Sequence, residues 1–363
     1  MTTASHKFVP WFDGSYLVLE LTNRCPAACT HCIQKYRNTH EHFSISSDMD
    51  PKVIEKLAES AWSEGLYFDT LILFWLGEPL MHPRFNDIYT RLLDYNAKKP
   101  WFNKVEVHTN ALPLGPAQRR AAVINQDVPA KWHISLDAVT RDTYRAIKGV
   151  DRLEEAEANT IKLLETRGKE KWPAIVFQMV VQDENAGEAL KFAHRWKSID
   201  EKKGRSCSTR GYTVPPDGND YVFLRQLDAL EPEDQAGADE LYFKVCAEQG
   251  IPGPERTIKK IQGSRVCSGP WKSPTIGADG RMTVCTRDSS FELEVGKFEK
   301  SSNLAAAWWF GEKIETLRKA HLDGRKELPS LCRACPIPRS SNYTSISGSE
   351  IAWYRAWKTT LGK

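Results

Sequence analysis

Residues 16–32 read YLVLELTNRCPAACTHC, an apolar segment followed by a group of three cysteines. Its first part, from Tyr16 to Leu21, is a short apolar run that predicts a buried strand. Three cysteines, Cys25, Cys29 and Cys32, follow in the spacing C-x3-C-x2-C. In parallel α/β barrels the loops beyond the carboxyl ends of the strands carry the chemistry, so this loop lies where an active site belongs.

The rest of the first half repeats the same alternation of apolar runs and amphipathic stretches, which indicates βα units and a parallel sheet. Asp50 before Pro51, and Thr140 before Thr143, mark helix starts. The predicted strands are Tyr16–Leu21, Thr70–Leu76, Lys104–His108, Trp132–Leu136, Ala174–Val180 and a weaker sixth at Ser208–Thr213. This number of units predicts an α/β fold, a partial (β/α)6 barrel of the TIM type.

Three regions follow from this pattern. We expect the barrel to occupy residues 1–213 and a linker or lid insertion to occupy residues 214–262, where prolines precede an acidic segment. Residues 263–363 form a smaller unit. It begins with a β-hairpin, Thr275–Ile276 and Met282–Val284 around a turn, and continues with a helix from about Asn303 to Leu322.

Composition limits the classes of function that this chain can have. The 363 residues carry a net charge of +3, with basic side chains scattered along the chain, so charge gives no support for nucleic-acid binding. No apolar run is long enough for a membrane span, and the N-terminus lacks a signal peptide, which predicts a cytoplasmic protein. Nine cysteines in such a protein indicate metal or redox chemistry rather than disulfides.

The first cysteine group suits an iron–sulfur cluster. Three thiolates on a short loop can hold three irons of a [4Fe–4S] cube and leave the fourth iron without a protein ligand. An open metal position is what catalysis requires. The alternatives are three buried cysteines that act as small apolar residues, or a zinc site completed by His31.

This loop resembles the motif of the radical S-adenosylmethionine (SAM) superfamily, in which an aromatic residue usually stands where this chain has His31. The resemblance implies that the open iron binds SAM, and that an electron from the cluster cleaves SAM to a 5′-deoxyadenosyl radical. That radical removes a hydrogen atom from the substrate. An external reductant such as flavodoxin or ferredoxin would supply the electron.

Further segments resemble the superfamily's SAM-binding positions. Gly77, Glu78 and Pro79 resemble its G-G-E-P loop, with Leu76 in place of the first glycine. Later strand ends offer polar groups for the ribose and the carboxylate of SAM, with strand capping as the alternative role. These predicted cofactor-binding residues are His108, Asn110, Ser135, Asp137, Lys148 and Gln178, besides His31.

A second cysteine group lies in the C-terminal unit. Cys267 and Cys285 flank the predicted hairpin in a C-x12-G-x4-C arrangement, and Cys332 and Cys335 form a C-x2-C pair. The arrangement resembles the twitch form of the SPASM extension, seen in 2-deoxy-scyllo-inosamine dehydrogenase and related aminoglycoside-pathway enzymes. It implies one auxiliary [4Fe–4S] cluster, two clusters in all. A structural zinc site with four cysteine ligands is the alternative.

The predicted reaction is oxidation of a secondary alcohol in a small polar molecule, such as a sugar or an aminocyclitol, with the auxiliary cluster as electron acceptor. Asp288 is the candidate base. A radical epimerase is an alternative, with Cys207 or Cys246 as hydrogen donor. Modification of a ribosomal peptide is another, less favoured because 24 residues precede Cys25. A zinc-stabilised binding protein is the non-enzymatic alternative.

Overall fold

The computed structural model describes residues 15–212, 216–251, 266–323, 327–335, 346 and 348–360. The strands are β1 Tyr16–Leu19, β2 Phe68–Leu73, β3 Phe102–Thr109, β4 Ala130–Ser135, β5 Ala174–Val180, β6 Cys207–Arg210, β7 Asp220–Arg225, β8 Thr275–Ile276, β9 Arg281–Thr283 and β10 Gly296–Lys297. The α-helices are α1 Pro51–Glu64, α2 Phe85–Lys98, α3 Pro116–Val123, α4 Arg141–Lys148, α5 Leu153–Arg167, α6 Ala189–Glu201, α7 Gln235–Glu248, α8 Gly269–Lys272, α9 Glu312–Leu322, α10 Ser330–Ala334 and α11 Gly348–Thr360.

The barrel strands form one parallel sheet in the order β1-β2-β3-β4-β5-β7-β6. Alternate residues face opposite sides of each strand. Trp132 in β4 packs on Phe85 and Tyr89 of α2, and Phe177 in β5 stacks on Trp196 of α6. Their neighbours along the strands therefore face the barrel interior, which we call the lumen. The partial barrel predicted from the sequence is confirmed.

Helix starts follow the capping residues. The Asp50 carboxylate accepts a hydrogen bond from the backbone N–H of Lys52, with Pro51 as the first helical residue. Thr140 caps α4 by accepting from the N–H of Thr143. Both predicted starts are confirmed, because they depend on local chemistry that the sequence displays.

The predicted linker or lid at residues 214–262 is wrong for part of its length. β7 lies inside the sheet between β5 and β6, and residues 235–248 form helix α7. Buried Asp220 begins β7 and accepts hydrogen bonds from Arg167 at 2.7 and 2.6 Å. Prolines and glycine before this six-residue strand concealed it in the sequence. The predicted boundaries at 213/214 and 262/263 lie outside the described residues.

The C-terminal unit extends the same sheet. β8 pairs with β1 in parallel, and the antiparallel pairs β8–β9 and β9–β10 complete the edge. The predicted hairpin is confirmed. The predicted helix over 303–322 is divided into a π-helical turn, Ala305–Trp309, and α9, because Gly311 adopts an extended conformation between them. Among the described helices, none has the length and apolar character needed to cross a bilayer.

Candidate active site

The loop that carries the first three cysteines is docked on the end of α4. The backbone N–H groups of Ala28 and Thr30 donate to the carbonyls of Lys148 and Ile147, both at 2.9 Å. These carbonyls belong to the last turn of a helix and have no partner within it. Gly149 ends α4 at φ 68°, and a Cβ there would lie 3.1 Å from the Ala28 carbonyl oxygen. A helix terminus therefore fixes the cysteine loop.

Cys25, Cys29 and Cys32 lie close enough to interact electrostatically with one another. Burial raises the pKa of each thiol, to about 11 for Cys32. Without a cation these thiols stay neutral, whereas metal binding requires and stabilises thiolates. The amide Nδ2 of Asn110 lies 3.6 Å from Cys25 Sγ and donates to it. Three clustered thiols with an amide donor fit the ligand set of an iron–sulfur cluster.

The Gly77-Glu78-Pro79 loop connects the cysteine loop to the end of β3. Glu78 accepts the backbone N–H of Asn110 at 2.8 Å and that of Leu80 at 3.2 Å, and burial raises its pKa to about 7. Pro79 begins the short turn that follows. Gly77 has a role within the fold, and its predicted place in SAM binding stays a prediction. A Cβ on Gly77 would lie 1.8 Å from the carbonyl oxygen of Thr22, so this glycine permits contact between two loops.

Asp137 and Lys148 form a buried ion pair beside the cysteines. Lys148 Nζ lies 2.5 Å from Asp137 Oδ2, and Ser135 Oγ donates to the same oxygen at 3.0 Å. Burial alone would raise the pKa of Asp137, but the ammonium of Lys148 lowers it overall. Burial would lower the pKa of Lys148, but Asp137 and the nearby Cys29 raise it. The structure thus unites three predicted cofactor-binding residues; their contact with SAM remains a prediction.

His31 lies between the cysteines and the strand ends. Gln182 Nε2 lies 3.4 Å from His31 Nδ1, and burial lowers the pKa of His31 to about 4. The ring is therefore neutral at neutral pH. A neutral aromatic ring at this position suits stacking on an adenine, which is the role that the motif predicts.

Gln178 and His108 belong to a polar group in the lumen. We call Glu106, His108, Lys131 and His133 the lumen cluster. Gln178 Oε1 accepts from His133 Nδ1 at 3.3 Å, while its Nε2 lies 3.4 Å from Ser135 Oγ. The cluster thus connects to the Asp137–Lys148 pair. Sequence reasoning missed Glu106, Lys131 and His133, although polar residues at every second position of β3 and β4 were a visible signal.

The four cysteines of the second group also come together. Burial raises the pKa of Cys285, and the proximity of Cys267, Cys335 and Cys332 raises it further. The backbone N–H of Gly269 donates to Cys267 Sγ at 3.4 Å. Four thiols within electrostatic range suit a cluster that is fully ligated by the protein.

This second group is anchored beside the barrel mouth. The Trp75 Nε1–H donates to the carbonyl of Thr286, the residue after Cys285, at 2.8 Å. Glu20, which follows β1, accepts the N–H of Leu76 at 3.3 Å and the N–H of Ala278 at 3.0 Å. His42 Nε2 lies 2.9 Å from the same carboxylate. Glu20 therefore joins the loop after β2 to the C-terminal hairpin, a role that the sequence did not reveal.

The structure does not support Asp288 as a base. It is 1% exposed, and its carboxylate accepts the Thr283 hydroxyl at 2.6 Å and the N–H groups of Glu292 and Leu293 at 2.8 and 2.9 Å. These donors belong to the end of β9 and to the loop that carries Asp288. Asp288 therefore shapes the loop after Cys285, and its oxygens are committed to that task.

The structure does not place Cys207 or Cys246 at the mouth of the barrel. Cys207 is the first residue of β6, at the end opposite the cysteine loop, and packs in the layer between sheet and helices. Cys246 is buried on α7 in the same layer. Burial raises the pKa of both thiols. These positions do not favour either residue as a hydrogen donor to a substrate.

Comparisons with known proteins agree with this arrangement. A family model described as the radical SAM superfamily matches residues 19–195, and one described as an iron–sulfur cluster-binding domain, SPASM, matches residues 267–336. The GTP 3′,8-cyclases of Clostridium perfringens strains SM101 and 13 are 24% identical over 169 residues. These residues are 47% of this chain and 49% of each relative, so the chain spans about half the length of the curated relatives it matches.

Two solved structures share the fold. Native anSMEcpe with bound AdoMet is 14% identical, with a TM-score of 0.56 over 90% of this chain and 88% of its own. Streptococcus suis SuiB bound to precursor peptide SuiA is 13% identical, with a TM-score of 0.56 over 90% of this chain and 70% of its own. Both cysteine groups are assembled within the two matched stretches, so the chain carries a radical SAM domain and a C-terminal SPASM domain.

Proposed function

We propose that this protein oxidises a secondary alcohol in a small polar molecule by radical SAM chemistry. SAM bound at the first cluster supplies a 5′-deoxyadenosyl radical, and the auxiliary cluster supplies an acceptor for one electron. Cys25, Cys29 and Cys32 would hold the first cluster, and Cys267, Cys285, Cys332 and Cys335 the second.

One observation carries the proposal: the two cysteine groups are linked through the mouth of the barrel. β8, which leads into the auxiliary hairpin, pairs directly with β1, which leads into the cysteine loop. Trp75 then connects the end of β2 to the residue after Cys285. A fully ligated cluster has no position for SAM, so its placement beside the mouth supports electron transfer.

The chain's own residues would bind and orient SAM. The buried Lys148 ammonium, held by Asp137 and Ser135, offers a cation for the SAM carboxylate. Glu78 fixes the loop between the first cysteine group and β3 through two backbone N–H groups. Neutral His31 offers an aromatic face. Each of these groups has a hydrogen-bond partner within the fold, which favours a preorganised site.

Peptide modification is a second candidate. The similar folds of anSMEcpe and SuiB include structures with bound peptides, SuiA in the second case. A peptide substrate would place a side chain in the lumen and its backbone outside. The experiment below separates the two candidates, because a peptide-modifying enzyme would not oxidise a small alcohol.

The test uses anaerobically reconstituted protein with dithionite, SAM and 2-deoxy-scyllo-inosamine as the probe alcohol. Wild type should form 5′-deoxyadenosine and a ketone in equal amounts. Cys285→Ala should still form 5′-deoxyadenosine but lose the ketone, and Cys29→Ala should form neither. Ketone formation that persists in Cys285→Ala would contradict the electron-transfer role. 5′-Deoxyadenosine without oxidation of the probe by wild type would favour the peptide candidate.

A further inference from the structure

The lumen cluster contains polar atoms that the fold leaves without partners. The buried Nε2 atoms of His108 and His133 make no hydrogen bond in the described structure. Both face the same oxygen, Glu106 Oε2, at 3.5 and 3.7 Å. Buried polar groups are normally satisfied, so such a pair calls for a functional explanation.

The cluster is held rigidly. His108 stacks between Phe74 and His133, with ring centroids 4.8 and 4.1 Å apart and interplanar angles of 10° and 15°. Lys131 Nζ lies 2.8 Å from Glu106 Oε1 and neutralises the carboxylate. His133 and Gln178 continue the contacts to Ser135 at the cofactor-binding end of the lumen.

The stacking argues against a metal ion here. The three ligand atoms of Glu106, His108 and His133 lie within 4.8 Å of one another, which a metal site requires. However, an imidazole binds a metal in its own ring plane, and two stacked rings direct their nitrogens along parallel lines. The Lys131 ammonium on the same carboxylate opposes a second cation.

We propose that His108 accepts the hydroxyl proton of the substrate alcohol, with Glu106 as the positioning residue that orients its ring. This inference rests on the proposed function and identifies its base. The carboxylate favours the tautomer with the proton on Nε2, which leaves Nδ1 as the acceptor, as in other carboxylate–histidine pairs. His108 is the more accessible ring, with 17% of its side chain exposed against 2% for His133.

The reaction then balances. SAM chemistry at the first cluster would remove the hydrogen atom on the carbinol carbon, His108 would take the proton from the oxygen, and the auxiliary cluster would accept one electron. The loss of one hydrogen atom, one proton and one electron converts the alcohol to a ketone. The imidazolium formed on His108 keeps its Nε2–H directed at Glu106, and its positive charge strengthens the interaction with that carboxylate.

Electrostatics support a neutral histidine before reaction. Burial lowers the pKa of His108, and Arg225 of β7 and Lys131 of β4 lower it further, whereas Glu106 raises it. His133 shares this environment, and its pKa is lowered well below the usual value. At neutral pH, His108 is therefore free to accept a proton.

The test uses 2-deoxy-scyllo-inosamine deuterated at the carbinol carbon, with reconstituted holoenzyme. For His108→Gln we expect probe affinity, measured by equilibrium binding, and deuterium transfer into 5′-deoxyadenosine to stay within about 3-fold of wild type. Ketone formation should fall by about 100-fold or more, the usual loss of a general base. The control Asn103→Ala, an exposed position on the same strand, should match wild type.

Glu106→Gln provides a second readout. Removing the carboxylate should lower the pKa of His108. The acid limb of the pH profile for the rate of ketone formation therefore moves to lower pH. A residue with a structural role alone would lower the rate without moving the limb.

Four results would overturn the assignment. Unchanged ketone formation in His108→Gln removes the base role and leaves the proposed function intact. Deuterium transfer that falls as far as ketone formation would make His108 a binding residue. Stoichiometric zinc in wild type that is lost from His108→Gln would make the cluster a metal site. Wild type that oxidises no probe removes the proposed function, and the base role with it.

Discussion

Lys148 Nζ and Asp137 Oδ2 lie 2.5 Å apart, with both side chains at most 2% exposed. This pair joins the end of α4, which holds the cysteine loop, to the end of β4. Asp137 also accepts the N–H of Val180 at 2.6 Å through its other oxygen, and its backbone has φ 62°. A buried charge pair with these extra hydrogen bonds organises the cofactor side of the barrel mouth.

Lys148→Met should be strongly destabilising. It leaves the Asp137 carboxylate buried without its cation, a change that typically costs about 3–5 kcal/mol. Urea unfolding under anaerobic conditions measures this loss of stability. Arg141→Met breaks an ion pair between exposed side chains, Arg141 and Asp151, and should leave stability near wild type. Equal effects of the two variants would contradict the role given to the buried pair.

The pH dependence of that difference follows from the shifted pKa values. Asp137 has a lowered pKa in the folded state, so its contribution is present above the unfolded value and is lost as pH falls through the folded one. Lys148 has a raised pKa, so its contribution is present below the unfolded value and is lost as pH rises through the folded one. In Lys148→Met the buried Asp137 carboxyl has lost its cation, so burial raises its pKa and this variant gains stability as pH falls. The stability gap between wild type and Lys148→Met should therefore narrow from about pH 9 towards pH 5. A gap that widens as pH falls would contradict the assigned charges.

Glu20→Gln should loosen the junction between barrel and SPASM domain. The carboxylate accepts two backbone N–H groups and faces His42, and an amide replaces one acceptor by a donor. We expect a loss of about 2 kcal/mol. Hydrogen exchange should speed up over residues 275–283, with Glu41→Gln, an exposed position, as control. Unchanged protection of the hairpin would show that Glu20 does not hold it.

Gly77→Ala should impair the first cluster. The added Cβ would meet the Thr22 carbonyl oxygen at 1.8 Å, so the loop after β2 must move away from the cysteine loop. Iron bound per chain and 5′-deoxyadenosine formation should both fall. Gly187→Ala introduces a methyl group with nothing within 4 Å and serves as the matched control. Full iron content in Gly77→Ala would show that the loops tolerate separation.

Ala111→Gly should stabilise the protein. Ala111 follows Asn110 with φ 63°, a left-handed conformation that costs a residue with a Cβ about 1–2 kcal/mol. Glycine avoids this strain but loses more backbone entropy on folding, so a net gain of up to about 1 kcal/mol is expected. The midpoint of urea unfolding should rise; a decrease would mean that the Ala111 methyl group contributes packing.

Much of the fold could be predicted from the sequence because its signals are local. Five barrel strands, both capped helices and the C-terminal hairpin follow from apolar runs, caps and a turn. β7 could not be predicted, because its place between β5 and β6 depends on pairing with strands distant in sequence. Its buried Asp220 also hides the apolar pattern, and only the folded chain shows that Arg167 compensates that charge.

The candidate site also has one part that could be predicted from the sequence and one part that could not. The two cysteine groups were predictable from spacing, since ligands of one cluster lie close together in the sequence. Glu20, which unites two units, and the lumen cluster, which unites β3 and β4, depend on tertiary contacts. Asp288 was selected for its position near Cys285, and the structure shows its oxygens bonded to Thr283 at the end of β9 and to the backbone of its own loop.

Electron paramagnetic resonance of the dithionite-reduced protein, recorded with and without SAM, tests whether SAM binds to the first cluster. If the cluster at Cys25, Cys29 and Cys32 has an open iron, SAM should change the spectrum of wild type and of Cys285→Ala, while Cys29→Ala shows no change. Identical spectra with and without SAM in wild type and Cys285→Ala would show that the first cluster has no open iron that binds SAM.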